Sequence, residues 1–261
     1  MLPKPPKAKH LPSPKSKRLP KRKPVTFILG LKCNDGLVLC SDSLEADGVI
    51  KKNVKKLFNY ENPGEWGVAF GCSGSSAACS NFGDRLLEHL QSEKAFNRRS
   101  MEKTIEAHIQ YFSKEYPAEK LQMVIGVYNT KPSEIRLYGA HTDTECLSVQ
   151  SDYACAGMDV SLARFLLDSI FTDDVTVEDG MYLASFIMHV MKEKADGVGG
   201  PTQLLHFRVD HPHWFAPNKK SVGMFEKGGF IEGKFHFKDL EKKIRQFCWS
   251  RFPHKFRPAK E

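Results

Sequence analysis

The stretch TFILGLKCNDGLVLCSDS, residues 26–43, decides the fold of this chain. It contains two runs that are rich in apolar and β-branched residues, Phe27–Cys33 and Leu37–Ser41. Between them lie Asn34, Asp35 and Gly36, which are residue types that favour tight turns. Two such runs around a glycine-containing turn predict a β-hairpin.

Three residues of this region have side chains that are suited to catalysis. Thr26 stands at the head of the hairpin, Asp42 at its far end, and Lys56 follows in VKKLF. A threonine hydroxyl is a weak nucleophile at neutral pH unless a base lies beside it, and one known base is the threonine's own freed α-amine. The chemistry therefore requires that Thr26 become the first residue of the chain.

The next segments alternate between strands and helices. A strand is predicted at Trp66–Gly71, and it leads through Gly74 and Ser75 into a helix. The apolar residues of that helix recur every four positions, namely Ala78, Phe82, Leu86 and Leu90. Ser100 is predicted to cap a second helix, which ends before Pro117.

The second half repeats this order. Three short strands are predicted at 121–128, 134–138 and 146–149, and a third helix carries Leu162, Phe165, Leu166 and Ile170. Thr176, with Asp179 at the capping-box position, is predicted to start a fourth helix that runs to about Ala195. This helix is apolar nearly all round, as expected for a helix that is covered on both sides. A last strand is predicted at 203–209. This order favours an α+β fold, a four-layer αββα sandwich of two mainly antiparallel sheets between helix layers.

The charge of the chain is concentrated at its ends. Nine of the 39 Lys and Arg residues lie in residues 1–25 with no acidic residue, which leaves 30 basic against 31 acidic residues elsewhere. With seven prolines, residues 1–25 are expected to be a disordered basic leader, either a solvated segment or a nuclear localisation patch. Residues 26–238 are expected to form one domain and 239–261 a basic C-terminal extension. Nucleic-acid binding is not expected of the near-neutral body.

Other classes of function find little support. The seven cysteines form no CxxC pair, which argues against a zinc ribbon or a disulfide framework and favours free thiols in a reducing compartment. His206, Asp210, His211 and His213 lie close together in sequence, but Pro212 interrupts the strand and no second cluster completes a metal site. We expect no metal, no cofactor and no membrane span.

The motifs TFILGLKCNDGLVLCSDS, NVKKLF and GSSAACSNFGDRLLEHL, in this order, resemble those of β-type proteasome subunits and related bacterial threonine peptidases. The resemblance covers about residues 26–209 and implies the N-terminal nucleophile hydrolase fold. It implies that Thr26 is the nucleophile, that its freed amine is the base, and that Lys56 favours the alkoxide. Asp42 would hold that lysine, and the backbone N–H of Gly74 would face the oxyanion.

Two positions depart from the family pattern. Active members are cut after a glycine, whereas Pro24 and Val25 precede Thr26 here. In AGMDVSLARFLL, Met158 falls where a supporting serine is expected, and we assign it no catalytic role. In ADGVGG, Asp196 matches the second aspartate of the family near Thr26.

The resemblance therefore predicts a threonine-type endopeptidase that acts on unfolded or extended peptides. It implies homo- or hetero-oligomeric rings, suggests an ATPase regulator, and favours a cytoplasmic location, with a nuclear one open because of the basic leader. The alternative function is an uncleaved, non-catalytic scaffold subunit of the same fold.

Overall fold

The computed structural model describes residues 26–47, 50–62, 64–92, 97–131 and 133–216. The predicted leader at 1–25 and the extension at 239–261 lie outside these residues, so the three-part division of the chain stays a prediction. In chain order the elements are β1 (Phe27–Cys33), β2 (Gly36–Ser41), β3 (Leu44–Asp47), β4 (Ile50–Asn53), β5 (Leu57–Asn62), β6 (Trp66–Ser73), α1 (Ser76–Ser92), α2 (Arg98–Glu115), β7 (Gln122–Thr130), β8 (Ser133–His141), β9 (Cys146–Gln150), β10 (Tyr153–Gly157), α3 (Val160–Ile170), α4 (Val177–Lys194), β11 (Gln203–Arg208) and β12 (His211–Phe215).

The strands form two five-stranded antiparallel sheets and a small ribbon. The first sheet has the order β10-β1-β2-β11-β12, the second has the order β5-β6-β7-β8-β9, and β3 pairs with β4. Within the described residues no strand of one sheet pairs with a strand of the other. The sheets are therefore held face to face by side chains.

Three layers of apolar side chains lie between four layers of secondary structure. One core joins the first sheet to α3 and α4, a second joins the other sheet to α1 and α2, and a third lies between the sheets. Strand β2 shows how this is encoded: Val38 and Cys40 face the helices, whereas Leu37 and Leu39 face the other sheet. The predicted α+β, four-layer αββα sandwich is confirmed.

The helix predictions hold with one correction. The four apolar residues predicted on α1 are all buried. The prediction that Ser100 caps α2 was wrong, because Asn97 is the N-cap residue and its side chain accepts a hydrogen bond from Ser100 N–H at 2.9 Å. Ser100 occupies the third helical position and bonds back to Asn97 N–H, which completes a capping box.

Helix α4 begins as the sequence predicts. Thr176 is its N-cap, and the Thr176 hydroxyl accepts from the N–H of Asp179 at 3.2 Å. No residue from Met181 to Val190 is exposed, which confirms that the apolar helix is covered. On α3, by contrast, Phe165 is 68% exposed. None of the helices within the described residues has the length and apolar character needed to cross a membrane.

The segment after Arg208 was predicted incorrectly. Pro212 does not prevent strand formation, because His211–Phe215 pairs with β11 as an edge strand. The pairing contains a bulge near Phe207. An edge position tolerates the missing N–H of proline. Trp214 of this strand is buried between the sheets near Tyr128. Glu61 of β5 accepts hydrogen bonds from Trp214 N–H at 2.9 Å and from the Tyr128 hydroxyl at 3.2 Å, and so ties the edges of both sheets together.

Candidate active site

Thr26 is the first described residue and lies directly before β1. It is 4% exposed, and its carbonyl accepts a hydrogen bond from the Met158 N–H at 2.8 Å. The following residue, Phe27, donates its N–H to Asp42 Oδ1 at 3.1 Å. Bonds on both sides of the residue thus fix the backbone that carries the Thr26 hydroxyl.

The Asp42 carboxylate accepts hydrogen bonds from four residues. It follows β2, and because β2 runs antiparallel to β1, it lies at the same end of the sheet as Thr26. The carboxylate is fully buried. Besides Phe27 N–H, it accepts from the N–H groups of Leu44 and Gly199, each at 3.2 Å, and from the Lys56 ammonium. Several donors of this kind stabilise a carboxylate that is cut off from water.

Lys56 completes a buried ion pair. Its side chain is 7% exposed, and Nζ lies 3.0 Å from both oxygens of Asp42 and 2.7 Å from the carbonyl oxygen of Leu44. The three ammonium hydrogens therefore each have an acceptor. Burial lowers the pKa of Lys56 and raises the pKa of Asp42, and the attraction between the two charges opposes both shifts.

The site is divided between the two sheets. Thr26 and Asp42 belong to the end of the first sheet, whereas Lys56 precedes β5 of the second. Asp42 links the two halves, because Phe27 N–H and Lys56 Nζ donate to the same carboxylate oxygen. Within the described residues, no hydrogen bond joins Thr26 to Lys56.

Gly74 lies where the sequence predicts, between β6 and α1, but a packing constraint accounts for its lack of a side chain. A Cβ at this position would lie 2.3 Å from Leu121 Cδ2 and 3.3 Å from the carbonyl oxygen of Lys120. Any larger residue would therefore displace Leu121. The role of the Gly74 N–H toward an oxyanion stays a prediction.

Asp196 is not part of the hydrogen-bonded cluster. It lies in the turn after α4 with an exposed side chain, and no hydrogen bond in the described part of the chain joins it to Asp42 or Lys56. The same turn does reach the site through Gly199, whose N–H bonds to Asp42 and whose carbonyl accepts from Leu44 N–H at 2.9 Å. A catalytic role for Asp196 stays a prediction.

Gly157 shapes the backbone beside Thr26. Its φ of +100° is one that residues with a side chain rarely adopt, and a Cβ there would lie 1.9 Å from the carbonyl oxygen of Thr26. This conformation turns the next N–H, that of Met158, toward Thr26. The side chain of Met158 instead packs partly buried against the core below α3 and α4.

We expect Gly157→Ala to lower the free energy of unfolding by about 2–4 kcal/mol, because backbone strain and overpacking add at this position. The matched control is Gly64→Ala. Gly64 also has a positive φ, +77°, but nothing lies within 4 Å of its Cβ position. Strain alone should cost about 1 kcal/mol there. Urea unfolding of both variants measures the difference, and equal costs would contradict the proposed clash.

The histidine cluster is spread over separate contacts. Asp210 pairs with Arg208, with two hydrogen bonds of 3.0 Å, and His213 Nδ1 lies 3.3 Å from Glu61. No group of three His, Cys, Asp or Glu side chains able to hold a metal ion occurs among the residues with described positions.

The described cysteines are free thiols. Burial raises the pKa of Cys155 to about 12, although the nearby Arg164 acts in the opposite direction. Burial likewise raises the pKa of Cys33, Cys40 and Cys72. Such thiols stay protonated at neutral pH, so they are poor nucleophiles.

Two glutamines near the site were missed by the sequence analysis. Gln203 contacts the backbone around Lys56, and Gln122 accepts from the N–H of Gly157 at 2.9 Å. No sequence pattern marks either residue, since each contact joins segments far apart in the chain.

Two sequence comparisons point to the same family. The family model described as Proteasome subunit matches residues 25–203. A proteasome subunit beta of Nanoarchaeum equitans (strain Kin4-M) is 28% identical over 167 residues, which cover 61% of this chain and 81% of that protein.

Solved structures of similar fold include Anbu proteins from several bacteria. The Anbu (Gly-1) mutant from Hyphomicrobium sp. strain MC1 superposes with a TM-score of 0.69 at 16% identity, covering 90% of this chain and all of that one. Anbu from Yersinia bercovieri, described as an ancestral beta-subunit, gives 0.66 at 14% identity with the same coverage. Because the family model spans well over half of the chain, the protein belongs to the proteasome subunit family.

Proposed function

We propose that this chain is a threonine-type endopeptidase of the proteasome kind, which hydrolyses peptide bonds through Thr26 after removal of residues 1–25. The observation that carries the proposal is the buried Asp42–Lys56 pair, bonded to the backbone directly after Thr26. A buried pair of this kind is costly to maintain and is weak as a purely stabilising device. It is well suited to hold a positive charge near a nucleophile.

The proposed reaction begins with cleavage of the bond between Val25 and Thr26. The freed α-amine, with an ordinary pKa near 8, takes the proton of the Thr26 hydroxyl, directly or through a water molecule. The oxygen attacks the carbonyl carbon of the substrate, and the Lys56 charge and the Gly74 N–H stabilise the negative charge that develops. The protonated α-amine then gives its proton to the leaving nitrogen, the amine product departs, and water hydrolyses the ester on Thr26.

A second candidate function is an uncleaved, non-catalytic subunit. Pro24 and Val25 favour it, because proline and a β-branched residue restrict the backbone at the bond that must be cut. Met158 also favours it, since its thioether cannot replace the hydrogen bonds of a hydroxyl.

Intact-mass measurement of the purified full chain distinguishes the two functions. For the peptidase we expect a species that begins at Thr26, because the α-amine cannot act as a base while it is part of a peptide bond. The control is Thr26→Ala, which should retain its full mass if the chain removes its own leader. A wild-type sample that contains full-length chain alone would contradict the peptidase.

Family membership supports a proposal about the partners of this chain. One relative of similar fold, Anbu from Pseudomonas aeruginosa, is described in a helical assembly. We propose that this chain also associates with copies of itself or with related subunits, and that its substrates are unfolded or extended peptides. An ATPase regulator belongs to the same proposal. Free cysteines fit a reducing compartment such as the cytoplasm, and the basic leader leaves a nuclear location open.

A further inference from the structure

The ladders of the two sheets do not by themselves align the two halves of the candidate site. Antiparallel pairing fixes Asp42 relative to Thr26 within the first sheet, and Cys72 N–H bonds to the Lys56 carbonyl at 3.3 Å within the second. Between the sheets lie mainly apolar side chains, which attract without specifying direction. The β3–β4 ribbon and the bond from Val54 N–H to the Ser43 carbonyl, at 2.9 Å, link the two halves upstream of Lys56, and a polar contact at Lys56 itself would fix its position.

Gln203 makes such a contact. It is the first residue of β11, in the first sheet, and its side chain is partly buried. Its Oε1 accepts hydrogen bonds from the N–H of Lys56 at 2.9 Å and of Leu57 at 3.2 Å, while its Nε2 donates to the carbonyl of Val54. One side chain from the first sheet thus binds three backbone groups of the segment that contains Lys56.

The chemistry of an amide suits this position. It offers a donor and an acceptor together, so it can bind both N–H and C=O groups of a passing backbone. It also carries no charge, whereas a carboxylate at this place would compete with Asp42 for the Lys56 ammonium. The contact therefore positions Lys56 without disturbing its ion pair.

We propose that Gln203 is a positioning residue, which holds Lys56 across the gap between the sheets so that its ammonium meets Asp42 and Leu44. The catalytic part of this inference rests on the proposed peptidase function, but the placement of Lys56 does not. Among the described residues no hydrogen bond joins Gln203 to Thr26, and in this proposal Gln203 acts only through Lys56.

Two other residues that bridge the sheets provide matched controls. Gln122 lies at the same end but bonds to Gly157, on the Thr26 side of the site. Glu61 ties the sheets together through Trp214 and Tyr128, away from the site. Replacing either by methionine removes a polar bridge between the sheets and leaves the backbone around Lys56 untouched.

The experiment follows the titration of Lys56 in the full chain by NMR with ¹³Cε-labelled lysine, the signal being assigned with Lys56→Arg. We expect Gln203→Met to move the pKa of Lys56 back toward its ordinary value of 10.5, because the released side chain reaches water. Gln122→Met and Glu61→Met should leave that titration unchanged. If Gln203→Met does not fold, Gln203→Asn, which keeps the amide but shortens its reach, carries the same test.

Peptide hydrolysis provides the second readout. We expect Gln203→Met to lower kcat about 100-fold with little change in KM, because a displacement of about 1 Å at a catalytic group has an effect of this size. An unchanged Lys56 titration in Gln203→Met, or the same shift in Glu61→Met, would overturn the inference. A shifted titration with undiminished kcat would overturn its catalytic part. A wild-type chain that hydrolyses no peptide would refute the proposed function, and the titration would still decide the role of Gln203.

Discussion

Thr26→Ala will hydrolyse no peptide and will not react with a peptide electrophile that traps an N-terminal threonine. The substitution removes the hydroxyl that would form the ester, and neither Asp42 nor Lys56 can replace it, because both side chains are buried and bonded to each other. The fold should survive, since the bonds that hold residue 26 involve its carbonyl and the next N–H.

The measurement is peptide turnover together with intact mass after incubation with the electrophile. Thr26→Ser is the matched control, because it keeps the hydroxyl and the α-amine, and it should retain measurable turnover and labelling. Undiminished hydrolysis by Thr26→Ala would refute the assignment of the nucleophile. Circular dichroism of the two variants checks that a loss of activity does not come from unfolding.

The second large effect concerns Lys56→Met, for which we expect loss of hydrolysis and a fall of about 3–5 kcal/mol in the free energy of unfolding. The loss of stability arises because Asp42 would remain buried without a counter-charge, bonded to backbone N–H groups alone. Urea unfolding and peptide turnover measure the two parts separately.

A double variant makes this test specific. Adding Asp42→Asn to Lys56→Met removes the buried charge, so part of the lost stability should return while hydrolysis stays absent; the Asn amide keeps one accepting oxygen where Asp42 has two. Lys52→Met is the control, because that side chain is 61% exposed in its ion pair with Glu45 and should cost no more than about 1 kcal/mol. A double variant as unstable as Lys56→Met would show that the cost does not come from the Asp42 charge.

Local patterns were sufficient to predict most of the framework. The hairpin of β1 and β2 follows from turn residues between apolar runs, and the buried stripe of α1 follows from its spacing. The N-cap of α2 was misplaced by three residues, because Asn97 and Ser100 are both good capping residues and only their reciprocal bonds show which one lies outside the helix. Strand β12 was missed because a proline is read as an interruption unless the strand is known to lie at an edge.

The candidate site was predictable only in part. Asp42 and Lys56 were identified from their place in a set of motifs, and the structure brings them together. The contact between Gln203 and Lys56 joins residues 147 positions apart, so neither periodicity nor spacing could indicate it. For Gly74 the position was predicted but not the neighbouring Leu121, which depends on how β6 and β7 end against each other.

The division of the site between two sheets has a mechanical consequence. A slip of about 1 Å that pulls Lys56 away from Asp42 along their 3.0 Å contacts would carry these contacts out of hydrogen-bond range, yet the ladders of both five-stranded sheets could remain intact. The distance between Lys56 and Asp42 therefore depends on the alignment of the layers more strongly than the secondary structure does. A force that displaces one layer relative to the other would therefore break the ion pair without contacting it.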